Sequence, residues 1–312
     1  MQLRVRSITY LAEAINGYEL VDPRGRDLPR FAAGAHIDLR LGGLVRQYSL
    51  CNDPAERRRY CIAVLREEAS RGGSRHLHDN IRAGDLLEVS TPRNNFPLAT
   101  EAERHLLIAG GIGIAPIMSM AAELQRRGAD FRLHYCARST ARTAFRDDLA
   151  PLEAEGRVRF HYDGGDPARG LDITATLLDP SAGTHLYYCG PAGLMAAATE
   201  AAREWPAGTV HREYFTAPPA ASIVEDKPFR VRLAKRGVEY EIPVGETITR
   251  VLRRHGITVP TSCELGYCGA CVTRYLEGEP DHRDQVPREY GRGRFVLICC
   301  ARSKTPVLHL DL

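Results

Sequence analysis

The stretch CELGYCGAC, residues 263–271, places three cysteines and two glycines within nine positions near the carboxyl end of a 312-residue chain. Cys263, Cys268 and Cys271 have C-x4-C-x2-C spacing, and two adjacent cysteines, Cys299 and Cys300, follow in VLICCARS. Thiolates at short, fixed intervals, with a fourth available farther along the chain, are typical of metal centres. The stretch therefore predicts a small domain built around bound metal.

The spacing of the first three cysteines matches the ligands of plant-type [2Fe–2S] ferredoxins, which take a fourth, distant cysteine. An anionic cluster needs N–H donors around it, and Gly266 and Gly269 let the backbone fold around the sulfurs without Cβ clashes. Zinc is the alternative metal, although structural zinc sites usually pair two short ligand units and no second pair accompanies this one. Buried free thiols beside a turn are the remaining interpretation.

Either of the adjacent cysteines, Cys299 or Cys300, can supply the fourth thiolate. On a strand, neighbouring side chains point to opposite faces, so only one of the two reaches the cluster. The strand period alone does not say which.

Composition describes an ordinary soluble protein of two or three domains, with 44% hydrophobic and 26% charged residues. A net charge of +3 with scattered arginines argues against nucleic-acid binding. No apolar run approaches the roughly 20 residues of a membrane helix, and the first residues lack a signal peptide's apolar core. We therefore expect a cytoplasmic protein with no membrane partner, whose nine cysteines indicate metal or redox chemistry rather than disulfides.

Hydrophobic periodicity divides the chain into four segments. Residues 1–102 contain short strands separated by Gly, Pro, Asn and Asp, which suits an antiparallel β-barrel. Residues 103–216 alternate strands with helices, which predicts an α/β domain with a parallel sheet. Residues 217–228 are rich in proline and alanine and predict a linker, and 229–312 contain a hairpin, a helix, the cysteine loop and a closing strand, which suits an α+β domain.

The tetrapeptide Arg46 to Ser49, in RQYSLCNDP, has side chains that suit a flavin. Arg46 can bind a phosphate through two N–H groups, Tyr48 can lie against an isoalloxazine ring, and the Ser49 hydroxyl can hydrogen-bond near flavin N5. By itself the tetrapeptide is a weak signal, and an ordinary half-buried strand is its default interpretation.

A second flavin element lies in RGGSRHLHD, residues 71–79. Gly72, Gly73 and Ser74 open a predicted helix whose N–H groups and dipole suit a phosphate. The two elements occur in the order expected of a flavin barrel followed by a nucleotide sheet, and together they favour a flavin-binding domain.

Two glycine turns, in HLLIAGGIGIAP (105–116) and YYCGPAGLM (187–195), each join a strand to a helix. Small residues there let a pyrophosphate approach a helix N-terminus, and the carboxyl ends of parallel strands meet at one edge of the sheet. The pair therefore predicts a nucleotide site, and it resembles the NAD(P)H domain of ferredoxin-reductase-like proteins, which implies a nicotinamide nucleotide. A plain glycine turn and a packing thiol are the alternatives. The residues concerned are Gly110, Gly111, Gly113 and Pro116 in the first turn, and Cys189, Gly190 and Pro191 in the second.

With these motifs in this order, the whole chain resembles the phthalate dioxygenase reductase and vanillate O-demethylase reductase family. The segment 229–312, ending ICCARSKTPVLHLDL, is similar to the C-terminal ferredoxin domain of that family. The resemblance implies FMN, NADH and a [2Fe–2S] cluster as cofactors. It also implies that Cys299 is the fourth iron ligand and that Cys300 is a packing residue.

The resemblance further implies roles for three residues. Ser49 and Cys189 would form the catalytic site, with Cys189 positioning the nicotinamide rather than reacting covalently, and Phe215 would lie near the flavin. From the residues alone, FAD remains an alternative to FMN, and Phe215 a core residue. Arg138 and Arg142 after the second strand of the sheet leave NADPH open as well.

The function implied is that of the reductase component of a two-component Rieske-type oxygenase or demethylase. A hydride carries two electrons and an iron–sulfur cluster accepts one, so a flavin must stand between NADH and the cluster. The alternatives are an NADH:acceptor reductase serving a different electron-accepting protein, and a non-enzymatic iron–sulfur sensor or scaffold. We expect a monomer that docks to the oxygenase around the cluster loop, through Tyr267, Arg274, Arg292 and Arg294.

Overall fold

The computed structural model describes residues 1–68, 72–215, 226–261, 264–266, 269–284 and 294–312. The chain divides into two compact units, Met1–Phe215 and Thr216–Leu312. Within the described ranges, no helix is long and apolar enough to span a membrane. Most of the predicted linker at 217–228, and the cysteines at 263 and 268, lie outside the described residues.

In the described part of residues 1–102, the first unit forms an antiparallel sheet of seven strands and one helix. The strands are β1 (Gln2–Ala12), β2 (Ile15–Val21), β3 (Ala35–Leu41), β4 (Leu44–Ser49), β5 (Tyr60–Leu65), β6 (Leu86–Val89) and β7 (Arg93–Asn94), and the helix is α1 (Gly73–Asn80).

The strand order is β4-β3-β6-β1-β2-β5, with β7 paired to β3. An isolated bridge between Leu50 and Ile62 joins the end of β4 to β5, so the two outer strands meet and the sheet closes into the predicted barrel. Alternate residues point inward, as Leu3 and Val5 do in β1, because successive side chains of a strand face opposite ways.

The rest of the first unit is a parallel sheet with helices on both faces. Its strands are β8 (Arg104–Gly110), β9 (Asp130–Ala137), β10 (Val158–Tyr162), β11 (Thr184–Cys189) and β12 (Val210–Glu213), and its helices are α2 (Ile114–Arg127), α3 (Arg146–Ala154), α4 (Ile173–Leu177) and α5 (Ala192–Ala201).

The parallel strands lie in the order β10-β9-β8-β11-β12. The chain proceeds outward from β8 through β9 to β10, then returns to the other side of β8 to form β11 and β12. The order therefore reverses between β8 and β11, and ligands of open α/β sheets bind outside the carboxyl ends of strands at such a point. Both predicted glycine turns follow these two strands.

The described residues of the second unit form a mixed sheet, a two-stranded ladder and one helix. Its strands are β13 (Phe229–Leu233), β14 (Val238–Ile242), β15 (Val272–Glu277), β16 (Pro280–Asp281), β17 (Phe295–Leu297), β18 (Arg302–Ser303) and β19 (Val307–Leu310), and its helix is α6 (Ile248–Arg254). The main sheet has the order β14-β13-β19-β15-β17, and β16 pairs with β18. Thr247 caps α6 by accepting a hydrogen bond from the Arg250 N–H, and Ile248 and Leu252 of the helix are buried in the core.

Candidate functional site

Arg46 and the start of α1 form the candidate phosphate corner of the barrel. The Arg46 side chain crosses Gly73, where an added Cβ would lie 3.2 Å from Arg46 Cδ and 3.3 Å from Nε. Gly72, the N-cap residue, has φ +95° and no side chain to cap the helix, and Ser74 lies in the first turn. A guanidinium beside a helix N-terminus suits a phosphate monoester, so these residues fit the phosphate end of FMN.

Tyr48 and Ser49 end β4 and face opposite sides of the strand, since Tyr48 pairs with Ile37 and Ser49 with His36. The Tyr48 ring packs partly buried against the barrel core, and burial raises the pKa of its phenol, so it stays protonated. Ser49 is buried, and its hydroxyl donates a hydrogen bond to Glu213 Oε2 at 3.1 Å. This bond joins the flavin strand of the barrel to the last strand of the parallel sheet.

Glu213 is a candidate functional residue that the sequence motifs did not assign. Burial raises the pKa of its carboxyl to about 7, and the hydrogen bond from Ser49 opposes that rise. Glu213 pairs with Cys189 across β12 and β11, so both lie at the carboxyl edge of the sheet. The only sequence signal was a carboxylate at the end of a strand that follows the two nucleotide turns.

Cys189 is fully buried beside Glu213. Burial, and secondarily the charge of Glu213, raises the pKa of its thiol well above the ordinary range. A thiol that stays protonated is a poor nucleophile. The environment therefore argues against covalent catalysis by Cys189, and its place beside the nicotinamide stays a prediction.

The two glycine turns pack directly against each other. A Cβ on Gly110 would lie 2.7 Å from Pro191 Cδ, and one on Gly113 would overlap the Cys189 carbonyl and lie 2.7 Å from the Gly190 N atom. These glycines are therefore required for contact between the turns, rather than for space at a pyrophosphate. Of the two turns' residues, Gly111 is the one that combines φ +52° with open space around it.

Two other predicted residues lie near this edge. The helix α2 begins at Ile114, so Pro116 is its third residue and is buried. Phe215 follows β12 by two residues and its ring is exposed, with 36% of its surface accessible. Its predicted place near the flavin stays a prediction.

Cys271 and Cys299 lie at the same end of the β15–β17 ladder. Cys271 precedes β15, Cys299 follows β17, and the strands pair Val272 with Leu297. Both cysteines are buried in one core cluster, with 3% and 2% of their surfaces exposed. Two buried thiols at one end of the ladder fit part of the ligand set of a [2Fe–2S] cluster.

The full ligand set extends beyond the described residues, because Cys263 and Cys268 lie outside them. Among described side chains alone, no group of three His, Cys, Asp or Glu residues is arranged to bind a metal ion. Cys271 and Cys299 are therefore the two predicted ligands that the structure brings together.

Cys299 and Cys300 do not belong to a strand. The strand β17 ends at Leu297, and the Leu297 carbonyl accepts hydrogen bonds from the N–H groups of Cys300 and Ala301, which makes a turn. The expectation that a strand period separates the two cysteines is therefore wrong. Cys299 is nevertheless the more deeply buried of the two, and Cys300 is partly buried.

Comparison with known proteins gives matches to two family models. Residues 231–304 match the 2Fe-2S iron-sulfur cluster binding domain, and residues 107–200 match the oxidoreductase NAD-binding domain. The first range includes all four predicted iron ligands, and the second includes both glycine turns.

Curated relatives match over the whole chain. The reductase subunit of tert-butanol monooxygenase / tert-amyl alcohol desaturase from Aquincola tertiaricarbonis is 49% identical, covering 100% of this chain and 96% of that protein. Vanillate O-demethylase oxidoreductase from Pseudomonas sp. (strain HR199 / DSM 7063) is 45% identical, covering 100% of both. A solved structure of phthalate dioxygenase reductase, described as modular for electron transfer from pyridine nucleotides to [2Fe-2S], is 43% identical with a TM-score of 0.79, covering 100% of this chain and 98% of that one.

Proposed function

Because this chain belongs to the family of phthalate dioxygenase reductase and vanillate O-demethylase oxidoreductase, we propose that it is the reductase component of a Rieske-type oxygenase or demethylase. It takes electrons from NADH and delivers them singly to the oxygenase through FMN and a [2Fe–2S] cluster. The observation that carries this proposal is the Ser49–Glu213 hydrogen bond. It joins the flavin strand of the barrel to β12, which pairs with β11 at the carboxyl edge of the parallel sheet, and this supports adjoining flavin and nicotinamide sites.

The cofactors supply the redox chemistry: when bound, the flavin exchanges a hydride with NADH and single electrons with the cluster. The chain's own residues supply binding and orientation. Arg46 and the N–H groups of α1 would hold the flavin phosphate, and Tyr48 would offer its ring to the flavin. The open backbone at Gly111 would leave room for the nucleotide pyrophosphate, and Cys189 would help to position the nicotinamide without reacting.

Ser49 and Glu213 hold a proton at the junction of the two sites. Below pH 7 the Glu213 carboxyl retains its proton, and above pH 7 it is a carboxylate that accepts the Ser49 hydrogen bond more strongly. The hydrogen bond between them orients the Ser49 hydroxyl and links the barrel to the parallel sheet. No residue of the chain has to act as a nucleophile in this function.

The cluster is held by Cys263, Cys268, Cys271 and Cys299. The core position of the last two supports this ligand set, since it places both sulfurs away from water at one end of the ladder. We propose that the protein works as a monomer in the cytoplasm, where NADH is supplied.

The docking surface for the oxygenase lies on β15 and β17, the strands next to Cys271 and Cys299 in the sequence. Arg274 and Phe295 pair directly across β15 and β17, and both are exposed, as are Val272 and Arg294. Cationic side chains around an apolar centre suit an acidic partner surface. Tyr267 and Arg292, the other predicted docking residues, lie outside the described residues.

Charge reversal tests this docking surface. Arg274→Glu should slow electron transfer to the oxygenase about tenfold at low salt, with less effect at high salt, because steering by surface charge is screened. The matched control is Arg236→Glu, in the hairpin turn at the other edge of the same sheet. Equal slowing by both variants would show that net charge, not this surface, matters.

The proposed function is tested with the purified holoprotein, NADH and a purified Rieske-type oxygenase. Oxygenase turnover that requires this chain supports the proposal. Rapid NADH oxidation with ferricyanide, without electron delivery to any Rieske-type oxygenase tried, would instead identify a reductase that serves a different acceptor protein.

A further inference from the structure

Cys300, the neighbour of the predicted ligand Cys299, contacts the loop that carries two other predicted ligands. A Cβ built on Gly266 would lie 2.7 Å from Cys300 Sγ, closer than carbon and sulfur approach without a bond. Gly266 lies between Cys263 and Cys268 in the sequence. The Cys300 thiol therefore touches the backbone of the segment that joins those two ligands.

Gly266 is closely covered on the side to which a Cβ would point. Its φ of +79° favours glycine, and the same added Cβ would lie 3.1 Å from the Cα of Asp284. Gly266 is buried. The Cys300 sulfur and the Asp284 backbone therefore both limit how this part of the loop can move.

The Cys300 side chain is itself fixed. Its N–H donates to the Leu297 carbonyl at 3.3 Å, and its Sγ lies 3.6 Å from the same oxygen. The side chain is partly buried and packs against the core cluster that contains Cys271 and Cys299. The thiol therefore connects the buried ligand pair to the ligand loop.

We propose that Cys300 is a positioning residue of the cluster site. Its sulfur contacts the backbone at Gly266 and thereby fixes the described part of the loop, which lies in sequence between two of the predicted ligands. It acts by contact and forms no bond to iron. This inference rests on the proposed [2Fe–2S] cluster and adds a residue that the ligand spacing does not include.

Replacement of the sulfur should loosen the loop. Cys300→Ala leaves a gap the size of one heavy atom beside Gly266, and Cys300→Ser leaves a smaller one because oxygen lies closer to Cβ than sulfur does. Loss of one buried methyl-sized group changes equilibria by about three- to tenfold, so we expect cluster loss to a chelator to accelerate by that factor in the alanine variant and less in the serine variant.

The experiment uses the full-length holoprotein and three readouts: the rate of iron loss to a chelator, the g-values of the reduced cluster by electron paramagnetic resonance, and the midpoint potential of the cluster. Cys300→Ala should change all three, because the ligand geometry changes. The matched control is Cys136→Ala, which removes a partly buried thiol from the parallel sheet of the first unit and should change none.

A double-variant cycle tests the contact itself. Gly266→Ala should lose most of its cluster iron, because its new Cβ meets the Cys300 sulfur. Adding Cys300→Ala removes that overlap, so the double variant should retain more iron than Gly266→Ala alone, although the φ strain and the Asp284 contact remain.

Two results would overturn the inference. Wild-type behaviour of Cys300→Ala in all three readouts would mean that the contact has no effect on the cluster. Complete cluster loss in Cys300→Ala, with retention in Cys299→Ala, would make Cys300 a ligand instead. If the wild-type chain itself binds no cluster after reconstitution, the proposed function fails. That result differs from a failure of the inference about Cys300, which appears only when the wild type binds a cluster and Cys300→Ala behaves like it.

Discussion

Replacing Glu213 by glutamine should make the first unit more stable, and the gain should depend on pH. Burial raises the pKa of Glu213 from an ordinary value of 4.5 to about 7, so ionisation is unfavourable in the folded state. A shift of this size corresponds to about 3 kcal/mol. Glutamine keeps a hydrogen-bond acceptor for Ser49 and carries no charge to bury.

The sign and the pH window follow from the two pKa values. Below pH 4.5 the glutamate is protonated in both folded and unfolded chains, so wild type and Glu213→Gln should have similar stability. Between pH 4.5 and 7 only the unfolded wild type ionises, so the wild type loses stability progressively. Above pH 7 the difference should be constant, with the variant more stable by about 3 kcal/mol.

Trp205 provides the assay, because it is the one tryptophan in the sequence and is buried in the first unit, with its indole N–H bonded to the Leu177 carbonyl. Urea unfolding followed by its fluorescence gives the free energy of unfolding of this unit from pH 4.5 to 8.5. Two FMN concentrations allow the effect of flavin binding to be subtracted. A stability difference that is the same at every pH would refute the argument.

Ser49→Ala is the companion variant. The serine hydrogen bond lowers the Glu213 pKa, so its removal should raise that pKa further. The pH range over which the unit loses stability should then extend to higher pH. No movement of this range would mean that the hydroxyl does not contact the carboxyl in solution.

Three further outcomes are expected. Gly113→Ala should destabilise the first unit by about 2 kcal/mol in urea unfolding, because the new Cβ would meet backbone atoms of the facing turn. Gly111→Ala should destabilise it by about 1 kcal/mol, because the only cost is the strain of a positive φ. Equal losses of stability in the two variants would contradict this. Arg46→Lys should weaken FMN binding at least about tenfold in a fluorescence titration, since lysine lacks the planar fork, and unchanged affinity would remove Arg46 from the phosphate site. Arg302→Met should destabilise the second unit by about 3 kcal/mol, because the buried Arg302 guanidinium donates hydrogen bonds to three backbone carbonyls. The loss is measured by following cluster absorbance during urea unfolding. The urea midpoint of the first unit, followed by Trp205 fluorescence, should stay unchanged.

Short-range sequence signals were sufficient to predict most helices and strands and to identify the family. The apolar period of α2, which ends where Gly128 takes φ +65°, and the hairpin of β13 and β14 were both predictable, because short-range periodicity and turn residues determine them. The family prediction was confirmed, since the cysteine spacing and the two glycine turns are specific in combination.

The strand β2 contains Asn16-Gly17, a dipeptide that is usually a turn signal. In the structure the turn lies earlier, at Glu13 and Ala14, where Ala14 has φ +62°, and Asn16 and Gly17 pair within the strand. Gly17 is placed there because Leu11 covers it, with a side-chain carbon 3.1 Å from where a Cβ would lie. Packing across the hairpin thus prevails over the dipeptide's local preference.

The site contacts were the least predictable part. Ser49 and Glu213 are 164 positions apart, and their hydrogen bond depends on how two domains meet. The packing of Gly113 on the Cys189 carbonyl depends in the same way on the strand order of the sheet. A single sequence carries the residue types for such contacts but not the register that joins them.

The most direct test of the account is an anaerobic titration of the purified holoprotein with NADH, combined with iron and flavin analysis and low-temperature electron paramagnetic resonance. The account predicts one FMN and two irons per chain, bleaching of the flavin by NADH, and the signal of a reduced [2Fe–2S] cluster that is lost in Cys299→Ser. A chain that binds flavin and oxidises NADH but never yields that signal would contradict the claim that electrons leave through the cluster.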